Sequence, residues 1–166
     1  MERIMIIGCG GSGKTTLARK LAEKTGLPLY HMDKIYWTKN WEHRTEAEFD
    51  EIYFPLLEKH QWILDGNFNR TISQRLERCD TVIYLDYNRF ACLWGWLKRV
   101  ITNWGRSRTD MGEGCKEWFD PEFAMWIWNF NKNHRKRYYQ MLQDSAGKKI
   151  IILKNRREMR KFLKQI

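Results

Sequence analysis

No stretch of this chain stays apolar for the ~18–20 residues that a membrane-crossing helix needs, so no membrane contact is expected. Ile4-Met5-Ile6-Ile7 is too short for the apolar region of a signal peptide, and a cytoplasmic location follows as the expectation. Cysteine is scarce and scattered: Cys9, Cys79, Cys92 and Cys115 form no C-x-x-C pair and share no metal-ligand spacing with the four histidines. A disulfide framework and a zinc module are thereby excluded, and the thiols read as reduced and structural. Proline occurs three times, and no Pro/Gly/Ser tract, internal repeat or low-complexity segment breaks the chain. The expectation is one domain over 1–166. No helix-turn-helix, zinc-finger or RNA-binding signature is visible either.

What the chain does have is core material. It is 43% apolar, with nine Trp, seven Tyr and eight Phe, and a domain of 166 residues buries roughly two thirds of its unfolded surface. Disorder is excluded on that composition despite a mean hydropathy of -0.68. Charge is unevenly placed. Residues 1–131 hold 18 basic and 18 acidic side chains, whereas 132–166 hold 12 and 2, so the whole net charge of +10 lies in the C-terminal fifth. Such a segment either attracts nucleic acid or stays solvated, and the solvated face is the simpler reading.

Five short apolar runs, Ile4 to Ile7, Pro28 to His31, Trp62 to Leu64, Thr81 to Leu85 and Lys149 to Leu153, alternate with helical-looking sequence. That alternation predicts an α/β fold, a five-stranded parallel sheet with helices on both faces. Leu17, Ala18, Leu21 and Ala22 recur at helical spacing from about Lys14 to Thr25, stopped by Gly26 and Pro28. Thr45 and Glu48 fit a capping box for a helix that Pro55 is expected to kink or shorten. From Arg89 to about Trp104, apolar residues at 90, 93, 94, 97, 100, 101 and 104 predict one packed face, while Arg99, Asn103 and Arg106 line up on the other. Asp120-Pro121 opens another helix whose Phe123, Trp126, Ile127 and Phe130 read as core. Between these two helices, Gly105 to Asp120 reads as a mobile, charged loop.

The chemistry begins at Gly8-Cys9-Gly10-Gly11-Ser12-Gly13-Lys14-Thr15, which matches G-x-x-x-x-G-K-[ST] directly after a predicted strand and before a predicted helix. Glycines let successive N–H groups turn inward onto phosphate oxygens, and the helix N-terminus adds its positive end. In this pattern Gly8, Gly10, Gly11, Ser12 and Gly13 form the cradle. Lys14 neutralises the β- and γ-phosphates, Thr15 offers its hydroxyl to Mg²⁺, and Thr16 touches the α-phosphate. No Asn-Lys-x-Asp string reads guanine, so the nucleotide is expected to be ATP. Asp65 and Gly66 end the third run beside the loop, where parallel sheets bind ligands, and Asp65 is a second candidate for the Mg²⁺ shell. Asp33, after the second run, suits either the metal or a general base toward an acceptor hydroxyl. Trp37, with Tyr36 and Trp41, offers a flat wall for an acceptor or packs on the helix that follows.

Leu64-Asp65-Gly66-Asn67-Phe68-Asn69-Arg70-Thr71 resembles the Asp-Gly-Phe-Pro-Arg segment of adenylate kinases and related nucleoside monophosphate kinases, with one more residue before the arginine and no proline. The resemblance implies an acceptor site at Asp33, Trp37, Asp65, Gly66 and Arg70, with Arg70 on the acceptor phosphate. Over nearly the whole chain the sequence is similar to the bacterial DNA topology modulation proteins (FlaR-like). The similarity is carried by the loop through Ala18-Arg19-Lys20-Leu21, by Leu29 to Trp37, and by Asp110 to Cys115 with Trp126 to Phe130. It implies a P-loop three-layer sandwich of adenylate-kinase type with an acceptor-binding insertion at about 34–60 and a short lid at about 105–120. It also implies Arg99, Arg106 and Arg108 closing on the transferring phosphoryl group, and Asn155 and Arg156 at the rim of the adenine pocket.

The expected activity is transfer of the γ-phosphoryl of MgATP to a small-molecule acceptor, a nucleoside monophosphate or related nucleotide being the first choice. The alternative is a nucleic-acid-associated ATPase or regulator affecting DNA topology, binding through the basic C-terminal segment, and a third reading is a nucleotide sensor without turnover. A monomer or small homo-oligomer is expected.

Overall fold

The computed structural model describes residues 1–166 throughout. Its core is a five-stranded, all-parallel sheet: β1 (Arg3–Gly8), β2 (Leu29–His31), β3 (Trp62–Asp65), β4 (Thr81–Leu85) and β5 (Lys149–Leu153), in the spatial order β2-β3-β1-β4-β5. Met5 of β1 pairs with Leu64 on one side and Val82 on the other. Every residue of β3 and β4 is buried, as a sheet covered by helices on both faces requires. The helices are α1 (Lys14–Thr25), α2 (Met32–Tyr36), α3 (Glu46–Leu57), α4 (Ile72–Arg78), α5 (Arg89–Thr102), α6 (Pro121–Gln143) and α7 (Arg156–Gln165). The chain passes from β3 to β4 across the far side of β1, so the strand order reverses at the C-terminal end of β1, where open α/β sheets bind ligands.

Local signals explain most boundaries. Gly26 ends α1 in a left-handed conformation at φ 73 and donates its N–H to Ala22. Both arms of the Thr45/Glu48 capping box are formed, and α3 runs only two residues beyond Pro55, so the missing N–H falls in its last turn. Asp120 caps α6 through two backbone N–H groups, ahead of Pro121. All four cysteines are free and buried. No helix is long and apolar enough to cross a membrane.

Two expectations are overturned. The packed face of α5 is only partly the expected stripe: Val100 is buried and Leu93 and Leu97 pack on the core, but Cys92 and Trp96 are buried too, while Phe90, Trp94, Ile101 and Trp104 are more than 60% exposed. Backbone approach sets this face. A Cβ on Gly95 would collide with the Gly11 carbonyl, and one on Gly11 would lie 2.6 Å from the Trp96 nitrogen, so α5 lies against the loop after β1 along its smallest side chains.

The segment between α5 and α6 is not a free loop either. Asp110, Met111, Cys115 and Glu117 are buried. Asn40 donates its N–H to the Glu113 carbonyl at 3.0 Å, and Trp41 donates its N–H to the Cys115 sulfur at 3.3 Å. Gly112 permits the contact, since a Cβ there would lie 2.6 Å from the Trp37 carbonyl. Charge in the sequence suggested solvent, but Asp110 and Glu117 are buried in ion pairs, and Gly112 and Gly114 let the segment dock on residues 37–40.

Candidate functional site

The loop after β1 is shaped by conformations that favour glycine: Gly8 at φ 149, Gly11 at φ 73 and Gly13 at φ 97. No side chain caps α1 at Gly13, which leaves its first-turn N–H groups free for an anion. Ser12 braces the turn by donating its hydroxyl to the Cys9 carbonyl at 2.7 Å. Lys14 donates Nζ to the Gly8 and Cys9 carbonyls at 2.9 and 3.0 Å, which keeps its charge over the cradle. Gly10, Gly11, Ser12, Gly13, Lys14, Thr15 and Thr16 all line a cleft of about 770 Å³. Gly8 lies beneath it, clamped by Asn67, whose side chain accepts from the Gly8 N–H at 3.0 Å and donates to its carbonyl at 2.9 Å.

The Thr15 hydroxyl donates to Asp65 Oδ2 at 2.9 Å, and His31 Nδ1 lies 3.0 Å from the same oxygen. Asp65 is 5% exposed, and its Oδ1 is buried with no hydrogen-bond partner. A buried carboxylate oxygen without a donor is an expensive arrangement for a purely structural group. It suits a hard cation that takes one or two protein oxygens and fills its shell with water and phosphate. Asp65 and Thr15 therefore fit Mg²⁺.

Asp33 lies in the first turn of α2. The residue is exposed to the cleft, and its carboxylate is crowded by the cleft walls and not sealed in the core. Burial, then repulsion from Asp65, raises its pKa above the usual carboxylate range, opposed in part by Lys14.

Two arginines reach the same space. Glu117 Oε1 lies 3.1 Å from Arg99 Nε and 2.8 Å from Arg108 Nε, while Arg108 Nη1 lies 2.7 Å from Asp110 Oδ2. Asp110 also pairs with Arg19 of α1 at 3.1 Å. Burial, then the neighbouring Arg108, lowers the Arg99 pKa. Arg106 is elsewhere: α5 ends at Thr102, Gly105 turns the chain at φ 68, and the Arg106 side chain is exposed and does not line the cleft. The i+7 alignment failed because the helix stops short of that position.

Arg70 is likewise not brought to the cleft. It makes a two-pronged pair with Asp50 of α3 at 2.6 and 3.1 Å and lies over the Phe49 ring. Phe68 at φ 34 and the 3₁₀ turn Asn69–Thr71 carry it outward. The arginine that does matter to this segment is Arg75, fully buried, which donates to the carbonyls of Gly66, Asn67 and Phe68. Burial pulls its pKa down to about 10. Nothing in the sequence singled it out. Gly66 lines the cleft beside Asp65.

Asn155 is also displaced from its expected role. Its side chain caps α7 by accepting from the Glu158 N–H at 2.9 Å, and it does not line the cleft. Arg156 does, together with Met159, Lys98 and Gly95. Phe123 packs on the core as expected, but it also lines the cleft with Trp126, stacked on it at 5.3 Å, and is set against Gly10. Because Gly95 meets both Gly11 and Arg156, Gly95→Ala is expected to weaken MgATP binding at least tenfold, measured by calorimetry, with a lowered melting temperature.

A second cavity of about 270 Å³ opens beside the first, and Trp37 lies in its wall with Trp41, Trp96 and Trp118. Asp33, Arg99, Arg108 and Phe123 line both cavities and form the passage between them. The two differ in charge. The cleft wall carries six basic and three acidic side chains, and the second wall carries two basic and three acidic.

No protein-family model matches the chain, and no curated relative matches it significantly. Among solved structures it is similar to the 1.7 Å crystal structure of shikimate kinase from Bacteroides thetaiotaomicron, with a TM-score of 0.58 and 16% identity over 99% of this chain and 95% of that one. At that identity the likeness shows the fold. It is an α/β P-loop fold with a five-stranded parallel sheet.

Proposed function

We propose that the chain is a P-loop phosphotransferase that moves the γ-phosphoryl of MgATP to a hydroxyl of a small acceptor. The observation that carries this reading is the position of Asp33, in the wall shared by a basic cleft over the phosphate-binding loop and a separate aromatic cavity. A two-substrate transfer needs such a junction, because the reacting oxygen must lie in line with the bond that breaks. The likeness of fold to a small-molecule kinase supports the class, and the further resemblance to the FlaR-like proteins belongs to this proposal as kinship of fold and loop.

In this reading the loop N–H groups and Lys14 hold the triphosphate. Thr15 and Asp65 hold Mg²⁺, which when bound neutralises phosphate charge. Asp33 accepts the proton of the acceptor hydroxyl as it attacks, a role its raised pKa suits. Arg99 and Arg108 turn toward the equatorial oxygens of the group in transfer, where fixed positive charge stabilises the transition state. Glu117 and Asp110 keep both guanidinium groups oriented until then. The docked segment over residues 37–41 excludes water, which protects ATP from hydrolysis.

The monophosphate acceptor reading loses its main support with Arg70 outside the cleft. The nucleic-acid reading also weakens, since part of the basic C-terminal fifth is engaged internally: Arg135 pairs with Asp86 at 2.7 Å, Lys148 donates to the Glu77 and Cys79 carbonyls, and Arg156 enters the cleft.

A coupled ADP-release screen over hydroxyl-bearing metabolites tests the proposal, with at least one acceptor expected to raise release well above background hydrolysis. Release that no acceptor stimulates overturns it. In the same assay Arg70→Ala is expected to stay within about threefold of the parent, because the pair it breaks is a surface one. A loss of a hundredfold would restore Arg70 to the acceptor site.

A further inference from the structure

The second cavity says what kind of acceptor fits. Four tryptophans face it, and three make a chain of ring contacts, Trp37 to Trp41 at 5.4 Å and Trp41 to Trp118 at 5.5 Å. These rings are held in place. Trp41 donates its indole N–H to the Lys116 carbonyl at 3.3 Å, and Asn40 and Trp41 adopt positive φ values of 53 and 66 without being glycine. Left-handed non-glycine residues are unfavourable and gather where a ligand clamp has to be shaped. Flat indole faces take flat rings.

The charge around these rings is the sharper constraint. Asp33, Glu117 and Asp120 contribute three carboxyl groups and Arg99 and Arg108 two cations. Both arginines are partly neutralised by carboxylates. Glu117 touches both, and Asp110 takes the other arm of Arg108. The wall contains no lysine. A phosphate or carboxylate entering here would meet a wall with more carboxyl groups than cations, each cation already facing a carboxylate. Uncharged rings meet no such barrier, and cationic ones gain from the indole faces. The volume of about 270 Å³ corresponds to about nine waters at roughly 30 Å³ each, which suits one ring system and a short arm.

We propose that the acceptor is a flat-ringed alcohol, uncharged or cationic and carrying no phosphate or carboxylate, whose ring stacks among Trp37, Trp41 and Trp118 while its hydroxyl reaches Asp33. The inference rests on the phosphotransfer reading for the use of the hydroxyl, and on the cavity alone for the binding preference. In transfer, the hydroxyl oxygen forms a bond to the γ-phosphorus of ATP as the bond to the β,γ-bridging oxygen breaks. Asp33 takes the hydroxyl proton, and ADP leaves with the bonding pair.

The test uses the full chain with its donor cleft filled by MgADP. Tryptophan fluorescence and calorimetry are followed while cytidine, thymidine and pyridoxine are each titrated beside their phosphate monoesters. At least one alcohol is expected to bind tenfold or more tightly than its own ester, and Trp118→Leu, at a half-exposed position, should lower that affinity at least tenfold without unfolding the chain. Glu117→Gln, which releases the arginines, should narrow the gap by strengthening the ester. Esters that bind as well as or better than all three alcohols, or alcohols that show no tenfold advantage, overturn the inference. Coupled ADP release on the same six probes separates the two claims. Preference for the alcohol in binding without turnover keeps this inference and removes phosphotransfer, whereas turnover of the esters does the reverse.

Discussion

Lys14→Ala is expected to reduce acceptor-dependent ADP release by about 10³-fold, the upper end of what one preorganised charge contributes at a site of developing negative charge. The wild-type ammonium is already placed by two loop carbonyls at 2.9 and 3.0 Å, so little reorganisation stands between the free protein and the productive contact. Alanine removes the charge but leaves Gly11 in its left-handed conformation, because that depends on packing against α5 and not on Lys14. The melting temperature should therefore move little, and MgATP should still bind through the loop N–H groups, more weakly. Stopped-time ADP assays beside thermal melts check both halves. Retention of more than a tenth of the activity would mean that another cation, Lys98 or Arg156 of the same cleft, carries the role assigned to Lys14.

The sheet was legible because its strands are short, apolar and set off by helical sequence, and each observed strand lies within one residue of its expected bounds. The phosphate-binding loop was legible because its glycines and lysine act through the backbone of one contiguous segment. The site residues that sequence misplaced all act across space. Arg70 looked like an acceptor ligand by its offset from Asp65, but a carboxylate on α3, twenty residues earlier, claims it. Arg106 followed Arg99 by helical spacing that the helix does not sustain. Phe123 and Trp126 share a periodicity with the buried Ile127 and Phe130, and only the loop at Gly10 turns them into cleft wall. Arg75, with no motif around it, supports three consecutive carbonyls after Asp65. The face of α5 was misread for a related reason: apolar bulk marks what a helix can bury, whereas Gly95 marks where a neighbouring backbone must come close. The paired glycines at 11 and 95 are 84 positions apart and became a signal only once folded.

Asp33→Asn separates catalysis from stability in opposite directions. Removal of a general base is expected to lower turnover by about 10²–10⁴-fold, with MgATP affinity within a few-fold of wild type, since the loop N–H groups and Lys14 hold the triphosphate and Asp33 does not. In the wild type the carboxylate must be ionised to accept a proton, so kcat/KM should rise with pH through the raised pKa of Asp33, above the usual carboxylate range. The variant should lack that limb. Folding responds with the other sign. Because the folded pKa lies above the unfolded one, the stability linked to protonation of Asp33 is fully present below the unfolded pKa and is lost as pH rises through the folded pKa. Above that raised pKa the wild type carries an ion that desolvation and Asp65 disfavour, whereas asparagine carries none. The variant should melt higher than wild type at pH values above the folded pKa of Asp33, and the difference should vanish in acid. This is the trade expected of a group held in an unfavourable ionised state for chemistry. A variant that melts lower than wild type across the pH range and keeps the pH limb would assign Asp33 to structure and move the proton acceptor to another group lining the passage.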